Sequence, residues 1–260
     1  MSSTFKLIPT DLLNAYLEQL DIDLKKALEA LQEAEISNDH FSFYTSVSAV
    51  FSSKIEGEDI ELDSYIKHKK FGAEFQPDYT QKIDDLYDAY IFANSNTLSS
   101  ENITKAHKLL SRNILPKSGQ GIFRNTNMFV TTADGRIEYV AATPMKVAEE
   151  MEKFYHDLSI LQGMELSVEE TFYYSSMIHL VFVKIHPWND GNGRCGRLLE
   201  KWFLAAKLGQ KAWFLQSEKH YYQNHQVYYQ NLRRLGLEYA ELDYGQALPF
   251  LKMLIGSLMD

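Results

Sequence analysis

Apolar residues recur at steps of three and four along most of the chain, which is the spacing of one face of an α-helix. The first such stripe contains only leucines and follows Thr10 and Asp11, so it predicts one long amphipathic helix near the start of the chain. Its members are Leu13, Leu17, Leu20, Leu24, Leu28 and Leu31. A second helix is predicted from about residues 37–39 to Lys54, with Gly57 ending it.

The same spacing predicts further helices along the rest of the chain. Their ranges are about 79–96, 100–115, 144–161, 168–186, 192–208, 218–235 and 248–258. Several begin or end at a recognisable signal, such as Ser167 and Glu170, which form a capping box. The helix after this pair is apolar on most sides from Met177 to Ile185, which predicts a central position in the protein.

One segment has the pattern of β-strands instead. Residues 128–132 and 137–140 are rich in β-branched and aromatic side chains, and Asp134-Gly135 between them is typical of a hairpin turn. An isolated hairpin is only marginally stable, so we expect it to lean on the helices as a flap. The predicted fold is therefore all-α, a helical bundle with one small β-hairpin.

Composition narrows the range of partners. The chain has 260 residues, 45% of them apolar, and a net charge of -9, which disfavours binding to nucleic acid or to an anionic membrane surface. It has no run of about 18 apolar residues to span a bilayer, and residues 1–16 lack the pattern of a secretory signal. The single cysteine, Cys195, excludes an intramolecular disulfide. We therefore expect a cytoplasmic protein.

The residue types that phosphate chemistry requires are concentrated in one loop. Pro187 disfavours helical geometry at the preceding residue, so the buried helix ends at His186 and a short loop leads to the next helix. From His186 the sequence reads His-Pro-Trp-Asn-Asp-Gly-Asn-Gly-Arg-Cys-Gly-Arg. Gly191 and Gly193 allow backbone angles that turn successive N–H groups inward, beside the positive end of the next helix. This arrangement favours anion binding.

Charged side chains complete the candidate site. Arg194 and Arg197 are three residues apart, so both guanidinium groups can reach one side of the anion site. Asp190 offers a hard carboxylate of the kind that binds Mg²⁺ next to phosphates. His186 can accept a proton from a hydroxyl near neutral pH. Each residue type is common in turns and on surfaces, but their ordered combination predicts phosphoryl transfer.

This segment resembles the signature of the Fic family, which is His, Pro, an aromatic or aliphatic residue, any residue, Asp or Glu, then Gly-Asn-Gly-Arg, two residues and Arg. Every fixed position is present, with Trp188 where phenylalanine is commoner. The resemblance covers about residues 100–253. It implies a Fic-like helical bundle in which residues 1–98 form an N-terminal helical region and residues 99–260 form the catalytic core with the C-terminal helices.

Two segments outside the signature extend the resemblance. Residues 121–124 and the hairpin that follows look like the family's target-docking flap, and its docking residues would be Met128, Phe129 and Val130. Asn224 and Tyr229 lie where the family has a helix beside the adenosine. The tyrosines near them have helical spacing, which makes core packing the simpler interpretation for most of that cluster.

The resemblance implies a protein adenylyltransferase, which moves AMP from ATP to a serine, threonine or tyrosine hydroxyl of a target protein. His186 would deprotonate that hydroxyl, and Asp190 would bind Mg²⁺. The residues that would hold the phosphates of ATP are Gly191, Asn192 and Gly193 for the α-phosphate, and Arg194 and Arg197 for the β- and γ-phosphates. The target is an unidentified protein, with the chain itself as one candidate.

A second pattern precedes this core. Ser52, Glu56 and Gly57 match Ser or Thr, three residues, Glu, then Gly or Asn, which resembles the inhibitory helix of the family, here about residues 38–57. Without that context, a glutamate at a helix end followed by glycine is ordinary structure. The resemblance implies that Glu56 pairs with Arg197 and keeps the enzyme off in cis.

Other functions stay open at this point. Some family members remove AMP from targets, and Glu56 would then position a water, while others transfer a different part of a nucleotide or phosphocholine. A nucleotide-sensing interaction module without turnover would not need a base at His186. A transcription regulator would need an additional basic helix-turn-helix domain, for which the acidic chain leaves little room. The oligomeric state is not predicted.

Overall fold

The computed structural model of the chain is built mainly from helices. The residues that the structure describes are 5–31, 40–73, 75–131, 135 and 137–259. Within them, the helices α1 to α12 are, in chain order, Leu13–Glu18, Leu24–Glu29, His40–Ile55, Leu62–Phe71, Pro77–Asn94, Ser100–Leu110, Pro144–Gly163, Val168–Ile185, Asn192–Leu208, Ser217–Gln223, His225–Arg234 and Leu248–Gly256. The strands are β1, Phe129–Thr131, and β2, Ile137–Val140, and short 3-10 helices are Gln210–Phe214, Tyr239–Glu241 and Tyr244–Gln246.

Helix α8 is the centre of the fold, as its apolar sequence predicts. Every residue from Thr171 to Ile185 is buried, and α1, α2, α7, α9 and α12 pack against the helix. The predicted capping box is present, because Ser167 Oγ accepts from the Glu170 N–H at 3.1 Å and the Glu170 carboxylate accepts from the Ser167 N–H at 2.8 Å. None of the helices in the described ranges is long and apolar enough to cross a membrane.

Helix α3 contains most of the segment that resembles an inhibitory helix; residues 38 and 39 lie outside the described residues. Helices α4, α5, α9 and α10 and the first 3-10 helix pack against it. Its buried face includes several small hydroxyl side chains, namely Thr45, Ser46, Ser48, Ser52 and Ser53. Small polar residues allow a close approach to neighbouring helices and require hydrogen-bond partners there.

The N-terminal segment is attached to the core by a carboxylate. Asp157 of α7 is fully buried and accepts hydrogen bonds from three successive backbone N–H groups, those of Lys6, Leu7 and Ile8, at 2.7 to 2.8 Å. A carboxylate that accepts several backbone N–H bonds satisfies both its own charge and the donors of an irregular segment. These bonds fix the entry of the chain into the helical body.

The hairpin leans on the helical body, as a flap would. Strand β1 pairs antiparallel with β2 in a register that puts Val130 opposite Tyr139. On the side of β2 that faces away from β1, the Val140 N–H donates to the carbonyl of Leu237 at 2.7 Å. The buried Glu138 carboxylate of β2 accepts two bonds of 2.7 Å from Arg233 of α11. Of the predicted turn, only Gly135 is among the described residues, and its φ of +83° suits glycine.

The single long helix that the leucine stripe predicts near the start of the chain is wrong. The segment forms two short helices, α1 and α2, and residues 19–23 separate them. The Asp23 side chain accepts a 2.9 Å hydrogen bond from the N–H of Lys26 and so caps α2 as a new helix. Aspartate competes for backbone hydrogen bonds and is a poor residue for a helix interior, so the apolar period continues while the helix itself stops.

The predicted helix over 218–235 is also divided. It forms α10 and α11, with Asn224 between them at φ -106° and ψ 32°. The Asn224 side-chain amide donates to the carbonyl of His220 at 3.0 Å. A side chain that bonds the backbone of the preceding turn competes with the helical pattern, which explains the break.

One helix was not predicted, and another ends earlier than predicted. Helix α4 is not predicted, because it carries several charged residues and only a sparse apolar stripe, of which Tyr65 is buried. Helix α6 ends at Leu110 rather than near 115. There the Ser111 hydroxyl donates to the carbonyl of His107 at 2.6 Å, and turns follow it up to Pro116.

Candidate active site

The loop between α8 and α9 has the backbone geometry that its sequence predicts. His186 caps α8 in the left-handed region at φ +55°, so the helix ends there, although Pro187 alone would favour an extended residue before it. Gly191 stands at the start of α9 with φ +80°. A Cβ at Gly191 would lie 2.8 Å from the Leu110 side chain and 3.3 Å from His107 Nε2. Glycine is therefore required there both by conformation and by space.

Asn192 braces this loop from the inside. Its side-chain carbonyl accepts from the Trp188 N–H at 2.9 Å, and its amide donates to the Trp188 carbonyl at 2.8 Å. The side chain is buried. The hydrogen bonds of the Asn192 side chain are thus made within the loop. The backbone N–H groups at the start of α9 remain as donors for an anion.

His107 of α6 supports the same loop, and sequence reasoning missed it. Its Nε2 donates to the carbonyl of Asp190 at 3.0 Å, and its Nδ1 accepts from the N–H of Gly121 at 2.9 Å. The ring stacks on Trp188 with 3.8 Å between ring centroids. Burial lowers the pKa of His107 to about 4, so the neutral ring that this pattern requires is the stable form.

Arg124 is the second brace that the sequence did not reveal. Its buried guanidinium donates to the carbonyls of His186 at 2.6 Å and of Ile185 at 3.2 Å, where α8 leaves carbonyl groups without helical partners. It also donates to the carbonyls of Thr126, at 2.7 Å, and of Ala142. Arg124 therefore ties the base of the hairpin to the end of α8.

The His186 side chain is oriented as a base. Its Nδ1 lies 3.2 Å from the carbonyl of Val183, so Nδ1 carries the proton and Nε2 carries the lone pair. The Tyr139 hydroxyl donates to the same carbonyl at 2.9 Å and lies 3.4 Å from Nδ1. Burial is the main cause that lowers the pKa of His186 to about 4. The ring is therefore neutral at pH 7 and can accept a proton.

Arg197 is held by the last turn of α3. Its Nε donates to Ser52 Oγ at 2.8 Å, and its Nη2 donates to the Ser52 carbonyl at 3.0 Å and to Glu56 Oε1 at 2.6 Å. The arginine is 1% exposed and the Glu56 side chain 25%. Gly57 follows at φ +96°, which ends the helical turn. Burial opposes the charge on Arg197, but the Glu56 carboxylate outweighs it and raises the pKa of the guanidinium.

The Glu56 carboxylate lies at the start of α9. A Cβ added at Gly193 would collide with Glu56 Oε1 and lie 3.2 Å from Arg197 Nη1. Burial disfavours the charge on Glu56, yet the Arg197 and Arg194 guanidinium groups overcome this and lower its pKa. An anion therefore occupies the place where the helix N-terminus and the second arginine meet, which is the position that the sequence assigns to phosphate.

Arg194 has its own carboxylate partner, which the sequence analysis did not identify. Its Nη2 lies 2.6 Å from both carboxylate oxygens of Glu58, and both side chains are buried. Lys82 Nζ approaches Glu58 at 3.5 Å. Arg194 Nε is a buried donor without a hydrogen-bond partner among the described residues. The alternation Glu56-Gly57-Glu58 is the only local signal that could have indicated a second carboxylate bound to an arginine of the site.

A cleft joins the base and the anion site. Its lining residues are Glu56, Val130, Tyr139, Val183, His186, Gly193, Arg197, Tyr228, Tyr229 and Leu232. Tyr229, for which nucleotide contact is predicted, lines the cleft, and so does its neighbour Tyr228. Asn224 is not part of the lining, because its side chain is bonded to the preceding turn. Cys195 is buried, and burial raises the pKa of its thiol, so it is unreactive.

The remaining predicted residues lie at the rim. The Asp190 side chain is exposed, and its Oδ1 accepts a 2.6 Å bond from the N–H of Gly191. Phe129 of β1 is 56% exposed, Met128 accepts from the N–H of Ala141 at 3.0 Å, and Val130 faces the cleft. In the described part of the chain, β1 pairs with no strand other than β2, so its outer edge is open.

Sequence comparison gives one family. Residues 97–204 match the model of the Fic/DOC family, which includes the whole loop from α8 to α9. Members of this family are typically transferases, known for AMPylation or related nucleotide transfer. A search among curated protein sequences gave no match.

Solved structures of Fic proteins have a similar fold. A Fic family protein from Desulfovibrio desulfuricans G20 matches with a TM-score of 0.74 and 19% identity, over 98% of this chain and 74% of its own. A Fic domain containing signaling protein from Bacteroides thetaiotaomicron VPI-5482 matches with a TM-score of 0.64 and 18% identity, over 94% of each chain. Fic-1 from C. elegans matches with 0.62 and 17% identity, over 96% of this chain and 68% of its own. At these identities the likeness establishes the Fic-like helical fold.

Proposed function

Residues 97–204 form a Fic/DOC domain, and on that premise we propose that the protein is an adenylyltransferase whose substrates are ATP and a protein hydroxyl. One observation carries this proposal. A carboxylate, that of Glu56, is bound at the start of α9 and on Arg197, within the cleft that also contains His186. The site therefore binds an anion beside a neutral base, which is the arrangement that phosphoryl transfer requires.

The proposed reaction begins at His186. Its Nε2 takes the proton of the target hydroxyl while Nδ1 stays bonded to the Val183 carbonyl. The hydroxyl oxygen attacks the α-phosphorus of ATP, the bond from that phosphorus to the bridging oxygen of the β-phosphate breaks, and pyrophosphate leaves. The new bond joins AMP to the target. The backbone N–H groups of Gly193 and its neighbours would stabilise the charge on the α-phosphate, and Arg194 and Arg197 would bind the outer phosphates.

Asp190 fits a role as a Mg²⁺ ligand. Its carboxylate is exposed at the mouth of the phosphate site, and one oxygen is bonded only to the neighbouring N–H of Gly191. No cluster of three or more side-chain ligands for a metal occurs in the described ranges. A single carboxylate together with phosphate oxygens is the usual way in which proteins hold Mg²⁺. The ion, when bound, would offset negative charge on the phosphates.

The contacts of Glu56 support an off state. Glu56 occupies the fork of Arg197 and covers Gly193, so ATP cannot place its outer phosphates there until the carboxylate leaves. Positioning of the α-phosphate for in-line attack depends on those contacts. Ser52 keeps its bonds to the same arginine, which would leave the guanidinium oriented after Glu56 moves.

The open edge of β1 is the proposed docking place of the target. An extended target segment could add as a strand beside Phe129 and Val130, which would bring its hydroxyl over the cleft. The other edge of the hairpin is already held by the chain itself, through the Leu237 carbonyl. Addition at β1 would therefore require no rearrangement of the fold.

Intact-mass analysis tests the proposal. With Mg-ATP, we expect Glu56→Gly to gain the mass of one AMP on itself or on a protein of an added lysate, and the wild type to gain far less. His186→Ala in the Glu56→Gly chain should abolish the gain. Glu61→Gly is the matched control, because the Glu61 side chain is exposed and contacts Lys54 rather than an arginine of the site.

The outcomes separate the competing functions. If Glu56→Gly gains no mass and binds Mg-ATP, the chain is a nucleotide-sensing module and the proposal is wrong. If the wild type removes AMP from a modified target and Glu56→Gly does not, Glu56 positions a water and the enzyme works in the removing direction. A gain of a different mass would show that another part of the nucleotide is transferred.

A further inference from the structure

The two faces of the hairpin differ in what they contact. Val130 and Tyr139 lie opposite each other, and both line the cleft that contains His186. Successive side chains of a strand point to opposite faces, so Phe129 and its partner Val140 lie on the far face, which is turned away from the cleft. Phe129 is 56% exposed and Val140 is half-buried. The far face is therefore apolar at the strand that the target is proposed to join.

The pairing of the strands decides which backbone groups face the open edge of β1. The Ala141 N–H donates to the Met128 carbonyl at 3.0 Å, and opposite residues of an antiparallel pair alternate between pairs that exchange hydrogen bonds and pairs that do not. Phe129 and Val140 form the next pair, so their N–H and C=O groups point away from each other. The 2.7 Å bond from the Val140 N–H to the Leu237 carbonyl agrees with this. The N–H and C=O of Phe129 therefore face the edge at which a target strand would add.

These two observations set the register of an added strand. The target residue opposite Phe129 would share its backbone hydrogen bonds, and its side chain would lie on the far face beside the Phe129 ring. The residues on either side of it would point the other way, and the one opposite Val130 would enter the cleft that holds His186. A hydroxyl that reaches the base therefore belongs to the immediate neighbour of the residue that lies beside Phe129.

We propose that the hairpin selects extended target segments in which a large apolar residue, above all an aromatic one, stands directly next to the hydroxyl residue. The side chain of that residue would continue the row of Phe129 and Val140 across the far face. Aromatic side chains that pair with aromatic or β-branched ones on a neighbouring strand stabilise a sheet. Phe129 is thus a specificity-determining residue. This inference rests on the proposed function, because it takes His186 as the base and β1 as the docking strand.

Peptides of identical composition test this selection. Each peptide carries a single threonine and a single phenylalanine in the same extended host sequence, with the phenylalanine either directly before or after the threonine, or separated from it by another residue. In the Glu56→Gly chain with Mg-ATP, we expect kcat/KM for AMP transfer to be about five-fold higher for the better adjacent peptide than for the separated ones, the upper end of the effect of a cross-strand aromatic pair. Whether the phenylalanine is favoured before or after the threonine reports the direction of the added strand.

Binding provides a second readout that does not depend on turnover. The same peptides are titrated into the chain that carries both Glu56→Gly and His186→Ala, and the titration is followed by NMR. We expect the adjacent peptide that is the better substrate to bind about five-fold more tightly than the separated peptides, because the contact with Phe129 is made before any chemistry.

Variants of Phe129 identify the residue responsible. Phe129→Thr keeps the backbone N–H and C=O groups, and it should remove the difference in affinity between adjacent and separated peptides. Phe129→Lys should shift the preference to a peptide with glutamate in place of the adjacent phenylalanine, because opposite charges attract across neighbouring strands. Phe71→Thr is the matched control, since Phe71 is 79% exposed on α4, and it should keep the preference for phenylalanine.

The two proposals fail in different ways. Equal affinities for adjacent and separated peptides, no binding of any peptide, or a preference that survives Phe129→Thr would overturn the inference, even if AMP is transferred to other proteins. If the adjacent peptide binds more tightly and Phe129→Thr removes that difference, but no AMP reaches a peptide or a protein, the selection stands and the proposed transferase function is wrong.

Discussion

Arg197 is the residue on which this account depends, because it is a buried cation between competing partners. Taking a guanidinium out of water is costly unless its donors are matched. Ser52 of α3 and Glu56, which directly follows this helix, match them. If a phosphate replaces Glu56, it must supply an equivalent negative charge. The exchange of one anion for another at a fixed arginine is therefore the proposed basis of the switch.

The loss of activity at low pH reports the pKa of His186. The base must be neutral, and burial lowers its pKa to about 4, so activity is lost only as the pH falls through that range. The Glu56 carboxylate raises this pKa, so its removal in Glu56→Gly moves the acid limb still lower. We expect kcat/KM of Glu56→Gly to be level from pH 8 down to about 5.5. A fall in kcat/KM at the ordinary histidine pKa of about 6.5 would contradict the partly buried environment of this ring.

Glu58 should act as a second inhibitory carboxylate, because it binds Arg194. It binds Arg194 through Nη2, while Glu56 still covers Gly193, so Glu58→Gln alone should leave the enzyme off. In the Glu56→Gly chain, Glu58→Gln should free the Arg194 fork and increase ATP affinity by several-fold, measured by calorimetry. Asp59→Asn is the control, since Asp59 is exposed and pairs with Lys54. Weaker ATP binding in the double variant would mean that Glu58 orients Arg194 instead.

At the scale of elements, α3 is fixed to α9 by a repeated contact. Ser48 and Ser52 are four residues apart on α3, and they accept from Lys201 at 2.6 Å and from Arg197 at 2.8 Å, which are four residues apart on α9. Lys201 also pairs with Glu218 at 2.6 Å, with both side chains fully buried. Release of Glu56 therefore needs a movement of the residues that follow Ser52 and not of the whole helix.

The Lys201 contact can be tested through stability. Lys201→Met would leave the Glu218 carboxylate buried without its cation, and breaking a buried pair in this way costs about 3–5 kcal/mol in the free energy of unfolding. Urea denaturation measures the loss. Lys67→Met is the control, because Lys67 and its partner Asp63 are exposed and such pairs contribute little. A loss no larger than that of the control would show that the buried Lys201 pair does not stabilise the fold.

The flap has its own test. Phe129→Pro removes a backbone donor from β1 and disturbs its outer edge, without altering a residue of the anion site. We expect modification of an added target protein to fall by at least ten-fold, an estimate based on the loss of strand addition. ATP affinity should stay unchanged in calorimetry. If target modification and ATP binding decrease together, the hairpin is structural and the docking proposal is wrong.

At the scale of the whole molecule, much of the fold could be predicted from the sequence where local signals mark the ends of elements. Helix α9 has the predicted bounds, because Gly191 precedes it and Gly209 follows it with positive φ values. The capping box at Ser167 gives the start of α8 in the same way. The leucine stripe gave one helix instead of two, since an apolar period can continue across a break that a single aspartate makes.

The site was predictable to the extent that its residues are neighbours in the sequence. His186 through Arg197 form one segment, and a local pattern also marks Ser52 and Glu56. The sequence did not indicate the contacts that His107, Arg124 and Glu58 make, because each works by contacting residues that are far away along the chain. Hydrogen bonds between distant segments depend on the tertiary fold, and a single sequence does not display them.

Transfer from labelled ATP tests directly whether the protein moves AMP to a protein hydroxyl. Glu56→Gly should be incubated with Mg-ATP that carries label either on the α-phosphate or on the γ-phosphate, and protein-bound label should be counted. We expect α-label to become bound to protein, γ-label to leave with pyrophosphate, and His186→Ala in the same chain to show neither. Protein-bound γ-label, or the absence of both labels in Glu56→Gly, would contradict it.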